Sequence, residues 1–192
     1  METLTAIASR RSIRKFKPDP VSRDLLNKIL ETATLAPSGK NKQPWRFYVV
    51  DETKRAEMIQ KMQQGMDKTK EAGIGTGSAK YTIKVMAQAP VTVFIFNPTG
   101  AHPMSERDSY GYFSDVVDIQ SIGAAIQNML LAAVELGLGS LWICDVFFGY
   151  DELCDWLGAE GQMIAAVSLG YPDQAPEARQ RDAVDDVTVY VE

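Results

Sequence analysis

The chain contains one histidine, two cysteines and no long uninterrupted apolar run, and each shortage removes a class of function. His102 alone leaves little for a serine–histidine triad or a metal cage. Cys144 and Cys154 are too few for a disulfide framework and lack the clustered spacing of a zinc site, which points to a reduced, cytoplasmic protein. No apolar run approaches the roughly 18 residues of a membrane span, and the first residues lack a charged-then-apolar export pattern. Cations are in deficit: net charge is −5 and the pI is near 5.0. Nucleic-acid binders are usually basic, so neither nucleic acid nor a membrane is an expected partner. There is no P-loop and no Gly-x-Ser-x-Gly elbow. Gly73-x-Gly75-x-Gly77 follows a polar helix rather than a strand, and reads as a flexible loop.

What is present suffices for one domain over residues 1–192, since domains commonly run from about 50 to 250 residues. An apolar share of 45% is enough for a real core and excludes disorder over most of the length. Residues 3–9 suggest a short amphipathic helix. Ser22 can cap a second helix, with Leu25, Leu26, Ile29, Leu30 and Ala33 at helical spacing and Pro37 as its stop. Phe47 to Val50 reads as a strand and Glu52 to Glu71 as a charged helix. Val91 to Phe96 reads as a central strand buried on both faces.

The polar stretch 101–114 has no clear period, and a loop of that length is often a lid. Asp118 is positioned to cap the longest helix, which runs to Leu136 and is apolar or small nearly all round. Such a helix must be covered on every side, which in a small domain calls for the sheet on one face and a second subunit on the other. Leu138 to Cys144 and Met163 to Leu169 add strands, with a short helix from Asp151 to Leu157 between them. Val187 to Val191 gives a last strand-like alternation. The expected architecture is α+β or α/β, with a mixed sheet of four or five strands, helices on both faces, and a homodimer.

Two stretches carry chemistry. Arg10, Arg11 and Ser12 put two forked, permanently charged donors beside a hydroxyl, with Arg14 two residues on. That set suits a phosphate monoester. The bland alternative is a solvated basic turn at a helix C-terminus, where cations are favoured anyway. Pro37-Ser38-Gly39-Lys40-Asn41-Lys42-Gln43 then places a hydroxyl and two side-chain amides on a turn just before a strand. Amides both donate and accept, which suits a ring edge displaying C=O, N–H and C=O; an ordinary turn is again the alternative.

The ordered set resembles the FMN-dependent nitroreductase family. It comprises Arg-Arg-Ser-x-Arg-x-Phe, Ala-Pro-Ser-x-x-Asn-x-Gln-Pro-Trp-Arg-Phe, the helix Ala-Ala-x-Gln-Asn-Met-Leu-Leu-Ala-Ala-x-x-Leu-Gly-Leu-Gly-Ser, Trp142-Ile143, Gly170-Tyr171-Pro172 and Arg179-x-Arg181. The resemblance implies an α+β fold with a mixed, mainly antiparallel central sheet flanked by helices, assembled as a homodimer with FMN at its interface. By the same resemblance, Arg10, Arg11 and Ser12 hold the phosphate and ribityl chain with Arg179 and Arg181. Arg14 lies near the pyrimidine edge of the ring, where its charge favours the anionic reduced form. Pro37, Ser38, Asn41 and Gln43 come from the partner subunit, and Trp142, Ile143 and Cys144 pass along the ring.

The implied activity passes a hydride from NADH or NADPH through flavin N5 to a small acceptor, a nitroaromatic, quinone or the like, by a ping-pong route. The cofactor carries that chemistry, so no catalytic side chain is assigned. The alternatives are a relative with flavin-fragmenting or dehalogenating chemistry, a non-enzymatic FMN-binding module, or a basic-arm interaction protein. Two positions depart from the family pattern. Cys144 stands where many relatives have Gly or Glu-Gly, and Asp182 where relatives often keep a cation.

Overall fold

Hydrophobic alternation builds the centre of the molecule. In the computed structural model, which describes residues 2–191, strand β2 (Val91–Asn97) is buried at every position. Val91, Val93 and Ile95 point to one side of the sheet, and Phe94 and Phe96 to the other. Its neighbours are β1 (Arg46–Val50) and β4 (Gln162–Gly170), and β3 (Gly139–Ile143) completes the order β1-β2-β4-β3. Every neighbouring pair is antiparallel. The only parallel feature among the described residues is a single bridge between Ser12 and Ser140 on the outer edge of β3. The mixed character expected of the sheet shrinks to that bridge.

Helices cover both faces. On one side, α2 (Arg23–Thr34) and α5 (Ser109–Glu135) pack Leu26, Ile29, Ile122, Ile126 and Met129 against Val93, Ala165 and Val167. Ser22 caps α2 as expected, its Oγ accepting from the Leu25 N–H at 3.3 Å. On the other side lie α3 (Arg55–Glu71), α4 (Ala79–Gln88) and α6 (Tyr150–Leu157). Met58, Met62 and Met66 recur every four residues along α3 and fill this second core with Met86 and Met163, a use that suits an unbranched, adaptable side chain. A short helix, α1 (Thr3–Ser9), leads into the Arg10–Phe16 segment, and it exposes Leu4 and Ile7.

One element is added and three expectations are corrected. The glycine loop at 73–77 leads into α4, which the sequence reading left unassigned. The longest helix begins at Ser109 rather than near Asp118, and Asp108 is its cap, accepting from the Gly111 N–H at 2.7 Å. The open stretch therefore shortens to residues 101–108. Asp118 lies inside the helix and is 2% exposed. By length and composition α5 could cross a membrane, although the glycines and polar residues scattered through it break every apolar run; here it is a core helix whose inner face is fully packed. Finally, Val187 to Val191 forms no strand. It lies largely exposed and, among the described residues, pairs with no strand.

Candidate functional site

The segment after α1 runs along the free edge of β3. The Ile13 N–H donates to the Ser140 carbonyl at 2.9 Å, and Phe16 bridges to Pro172. Two further backbone bonds, Lys17 N–H to the Tyr171 carbonyl and Asp173 N–H to the Lys15 carbonyl, both 2.9 Å, tie the start of the tail to the same segment. This zipper brings Arg179 and Arg181 back over Arg10. The result is a cleft of about 590 Å³ lined by Arg10, Arg11, Ser12, Arg14, Arg179 and Arg181, with Ile7, Ala8 and the 176–178 segment completing its wall.

Five guanidinium groups thus share one cleft, and among the described residues none of them forms an ion pair with a carboxylate, although Glu177 stands at the wall. Like charges held this close repel unless an anion joins them. The cleft is therefore built for a multiply charged anion, and a phosphate monoester fits its donor set. The arginines are not equivalent. Arg11 Nη1 donates to the Ala8 and Arg10 carbonyls at 2.7 and 2.8 Å, so this side chain caps the C-terminus of α1. Arg14 Nη1 reaches the Ser12 carbonyl at 3.3 Å, and Arg181 Nη1 the Gln180 carbonyl at 3.3 Å. Among the described residues, the side-chain donors of Arg10 and Arg179 and the Ser12 hydroxyl meet no protein acceptor.

The other expected site residues do not line this cleft. Trp142 lies two residues along β3 from Ser140, about 7 Å at the usual rise of a strand. Its ring is 38% exposed and passes over α5 at Gly123, while Ile143 is 3% exposed and offers only its backbone. Cys144 follows at the surface. Desolvation by the surrounding chain, and then the Asp145 carboxylate, push its thiol above the ordinary range. The thiolate is the reactive form, so in flavin-free protein Cys144 is expected to react with iodoacetamide near neutral pH more slowly than free cysteine does, with the rate rising at alkaline pH. A faster reaction than free cysteine would refute this.

Asp145, which the sequence reading missed, anchors this end of β3. It accepts from the Ser78 and Thr82 hydroxyls, at 2.8 and 2.5 Å, and so ties β3 to α4. No local pattern could have revealed a bond across more than sixty residues of chain.

Pro37, Ser38, Asn41 and Gln43 sit on a third patch, on the α5 side of the sheet. Pro37, Asn41 and Gln43 are exposed and Ser38 is half-buried. The Gly39 N–H donates to Ser121 Oγ on α5 at 3.3 Å, and Gln43 N–H to Ser38 Oγ at 2.9 Å. Among the described residues nothing pairs with the side-chain amides of Asn41 or Gln43, so those donors and acceptors face outward.

The polar stretch before α5 borders another cleft, of about 560 Å³, with His102, Arg107, Tyr112 and Ile119 on its walls. His102 Nε2 lies 3.2 Å from Asp151, and Arg107 is held bidentately by Asp115 at 3.0 and 2.9 Å. Among the described residues no cluster of His, Cys, Asp and Glu could hold a metal ion.

The chain is similar to known proteins over most of their length. YfhC of Bacillus subtilis, provisionally named an NAD(P)H nitroreductase, is 30% identical over 183 residues, covering 94% of this chain and 89% of its own. The fold matches an FMN-bound nitroreductase of Desulfitobacterium hafniense with a TM-score of 0.76 at 26% identity, across 100% of both chains. It also matches a BluB-like flavoprotein of Clostridium difficile with a TM-score of 0.74 at 27% identity, again across 100% of both. The nitroreductase family model matches residues 7–171, which takes in the arginine segment, the 37–43 turn and all four strands: the chain belongs to the nitroreductase family.

Proposed function

We propose that this protein is an FMN-dependent oxidoreductase that draws electrons from NADH or NADPH. One observation carries the reading: five arginines from two distant segments converge on a single cleft, without a carboxylate partner among the described residues, beside an edge strand that presents an exposed tryptophan. When bound, FMN supplies two-electron chemistry, hydride in from NAD(P)H at N5 and hydride out to a small nitroaromatic, quinone or similar acceptor, in separate half-reactions of a ping-pong cycle.

The chain's own residues bind and orient. Arg10, Ser12, Arg179 and Arg181 hold the phosphate, with Arg11 closing the helix end behind it. Arg14 keeps a fixed positive charge at the ring's pyrimidine edge, where it stabilises negative charge. Trp142 and Ile143 at the end of β3, with Cys144 just beyond it, would flank the ring. The side chain of Ile143 is buried, so this residue serves through its backbone.

The exposed turn carrying Pro37, Ser38, Asn41 and Gln43 serves the site of a partner subunit. Support for a homodimer comes from the outward face of α5, where Val116, Ile119, Ala124 and Leu131 are incompletely covered, and from the exposed Leu4 and Ile7 of α1. Scattered apolar residues are ordinary on a surface, but a continuous face of this kind marks an interaction site. The reduced thiols suit a cytoplasmic setting.

The test is the visible spectrum of the purified protein after FMN addition and desalting. Flavin is expected to stay bound, with peaks near 370 and 450 nm, about where oxidised flavins absorb, and to bleach when NADH or NADPH is added without air. The protein is also expected to remain dimeric on dilution while flavin is bound. A colourless protein, or a monomer that retains FMN, contradicts the shared site. Bound flavin that neither nucleotide bleaches points instead to a binding module.

A further inference from the structure

Among the described residues, the non-glycine residues with positive φ all lie in the turn between α2 and β1. Lys40, Asn41 and Gln43 have φ of 52°, 54° and 51°, in the left-handed region, and none of them is glycine. Such residues are sterically disfavoured, and they persist only where their surroundings over-determine them. The local bonds here are few: Asn41 N–H to the Ser38 carbonyl, Gln43 N–H to Ser38 Oγ, Lys42 N–H to the Gly39 carbonyl, and Trp45 N–H to the Gln43 carbonyl. The remaining restraint comes from α5. Lys42 Nζ reaches Asp118 Oδ2 at 2.5 Å, from a side chain that is itself half-exposed.

Asp118 is almost fully buried on a helix face that is otherwise apolar apart from Ser121 one turn on. Its Oδ2 also accepts from Asn97 Nδ2 at 3.3 Å, and Asn97 is fixed in turn because its Oδ1 accepts from the Thr99 N–H and hydroxyl. A buried carboxylate is costly to keep, and an ion pair of this kind adds little net stability where well-packed apolar residues could replace both partners. Burying one here does not help the core. It pins the turn at Lys42, while Ser121 holds the same turn at Gly39. Asn41 lies between these two anchors and Gln43 directly follows the second, and among the described residues neither side-chain amide has a partner.

We infer that Lys42 and Asp118 are a positioning pair, holding the 38–43 turn in its left-handed conformation so that Ser38, Asn41 and Gln43 meet the flavin ring edge in the partner subunit's site. The inference rests on the shared FMN site proposed above. Neither residue touches the flavin. They act through the turn, and α5 carries the restraint.

The test is a fluorescence titration of flavin-free protein with FMN, with the shape of the visible band recorded at saturation. The informative variant is Lys42→Met combined with Asp118→Asn. It leaves no unpaired buried charge and keeps an acceptor for Asn97, so the protein is expected to fold, remain dimeric and melt near the wild-type temperature. Its FMN dissociation constant is expected to rise about ten- to a hundredfold, with the visible band moving toward that of free flavin. Lys42→Arg, which restores a cation able to reach Asp118, is expected to bind within about threefold of wild type.

Unchanged affinity and band shape in the double variant would overturn the pair's role and leave the flavin reading intact. A Lys42→Arg protein no better than the double variant would overturn it too, since the pin would be present without effect. A wild-type protein that takes up no FMN would overturn both this inference and the function beneath it.

Discussion

Arg10→Ala is expected to weaken FMN binding about ten- to a hundredfold, corresponding to the roughly 1.5–3 kcal/mol of a charge-assisted contact. The Arg10 guanidinium has no protein acceptor among the described residues, so removing it leaves no carbonyl or carboxylate unpaired, and the melting temperature should hardly move. Arg11→Ala provides the contrast. Its guanidinium sits on the last carbonyls of α1, so that variant should lose a few tenths to about 1 kcal/mol of stability while losing less affinity. Isothermal titration with FMN and thermal melts of both variants separate the two effects. Equal affinity loss in both would mean that the cleft reads only total charge. Unchanged affinity in the Arg10 variant would remove it from the phosphate site.

The second large effect runs against helix propensity. Gly65 lies inside α3, where alanine would ordinarily stabilise a helix by up to about 1 kcal/mol. Here a Cβ would stand 2.7 Å from the Phe148 carbonyl oxygen and nearer still to the Gly149 Cα, both backbone atoms of the turn Asp145–Gly149 that follows Cys144. Backbone cannot swing aside as a side-chain tip can, and overpacking costs about 1–3 kcal/mol, more where the obstacle is rigid. The clash therefore wins. Gly65→Ala is expected to lose about 2 kcal/mol net, lowering the melting temperature by roughly 4–8 °C in a chain of this size. A neutral or stabilised variant would show that α3 can shift without cost.

The sequence revealed those parts of the fold whose cause is local. β2 announced itself because a continuous β-branched and aromatic run can be comfortable only between two helical layers. α2 did so because Ser22 and the spacing of Leu26, Ile29 and Ala33 agree. The arginine cleft was half legible: Arg10 to Arg14 and Arg179 to Arg181 could be named, but their meeting depends on backbone bonds between 13–17 and 140–173.

Asp118 misled because an acid ahead of an apolar helix looks like a cap, whereas its role is set by Lys42 on a distant turn and Asn97 at the end of β2. α4 went unseen because it is short and follows three glycines. The tail alternation at Val187 to Val191 has the pattern of a strand, but a strand also needs an edge to pair with, and among the described residues this one pairs with none. The left-handed turn was illegible for a simpler reason: Lys40 and Gln43 carry no preference for that conformation, which their surroundings impose.

The strand order has a kinetic consequence. Arg46 pairs with Phe96, Val91 with Leu169, and Gly139 with Gly170, so no two neighbouring strands are joined by a hairpin. Each pairing must close a long loop before any ladder bond repays it, which places the chain among slow folders, with transit times of milliseconds to seconds. β2 has only β1 beside it until β4 arrives, more than sixty residues later in synthesis. Until then its apolar faces are shielded only by β1 and the helices already made, so the nascent chain is most vulnerable to aggregation in the interval before β4 is synthesised.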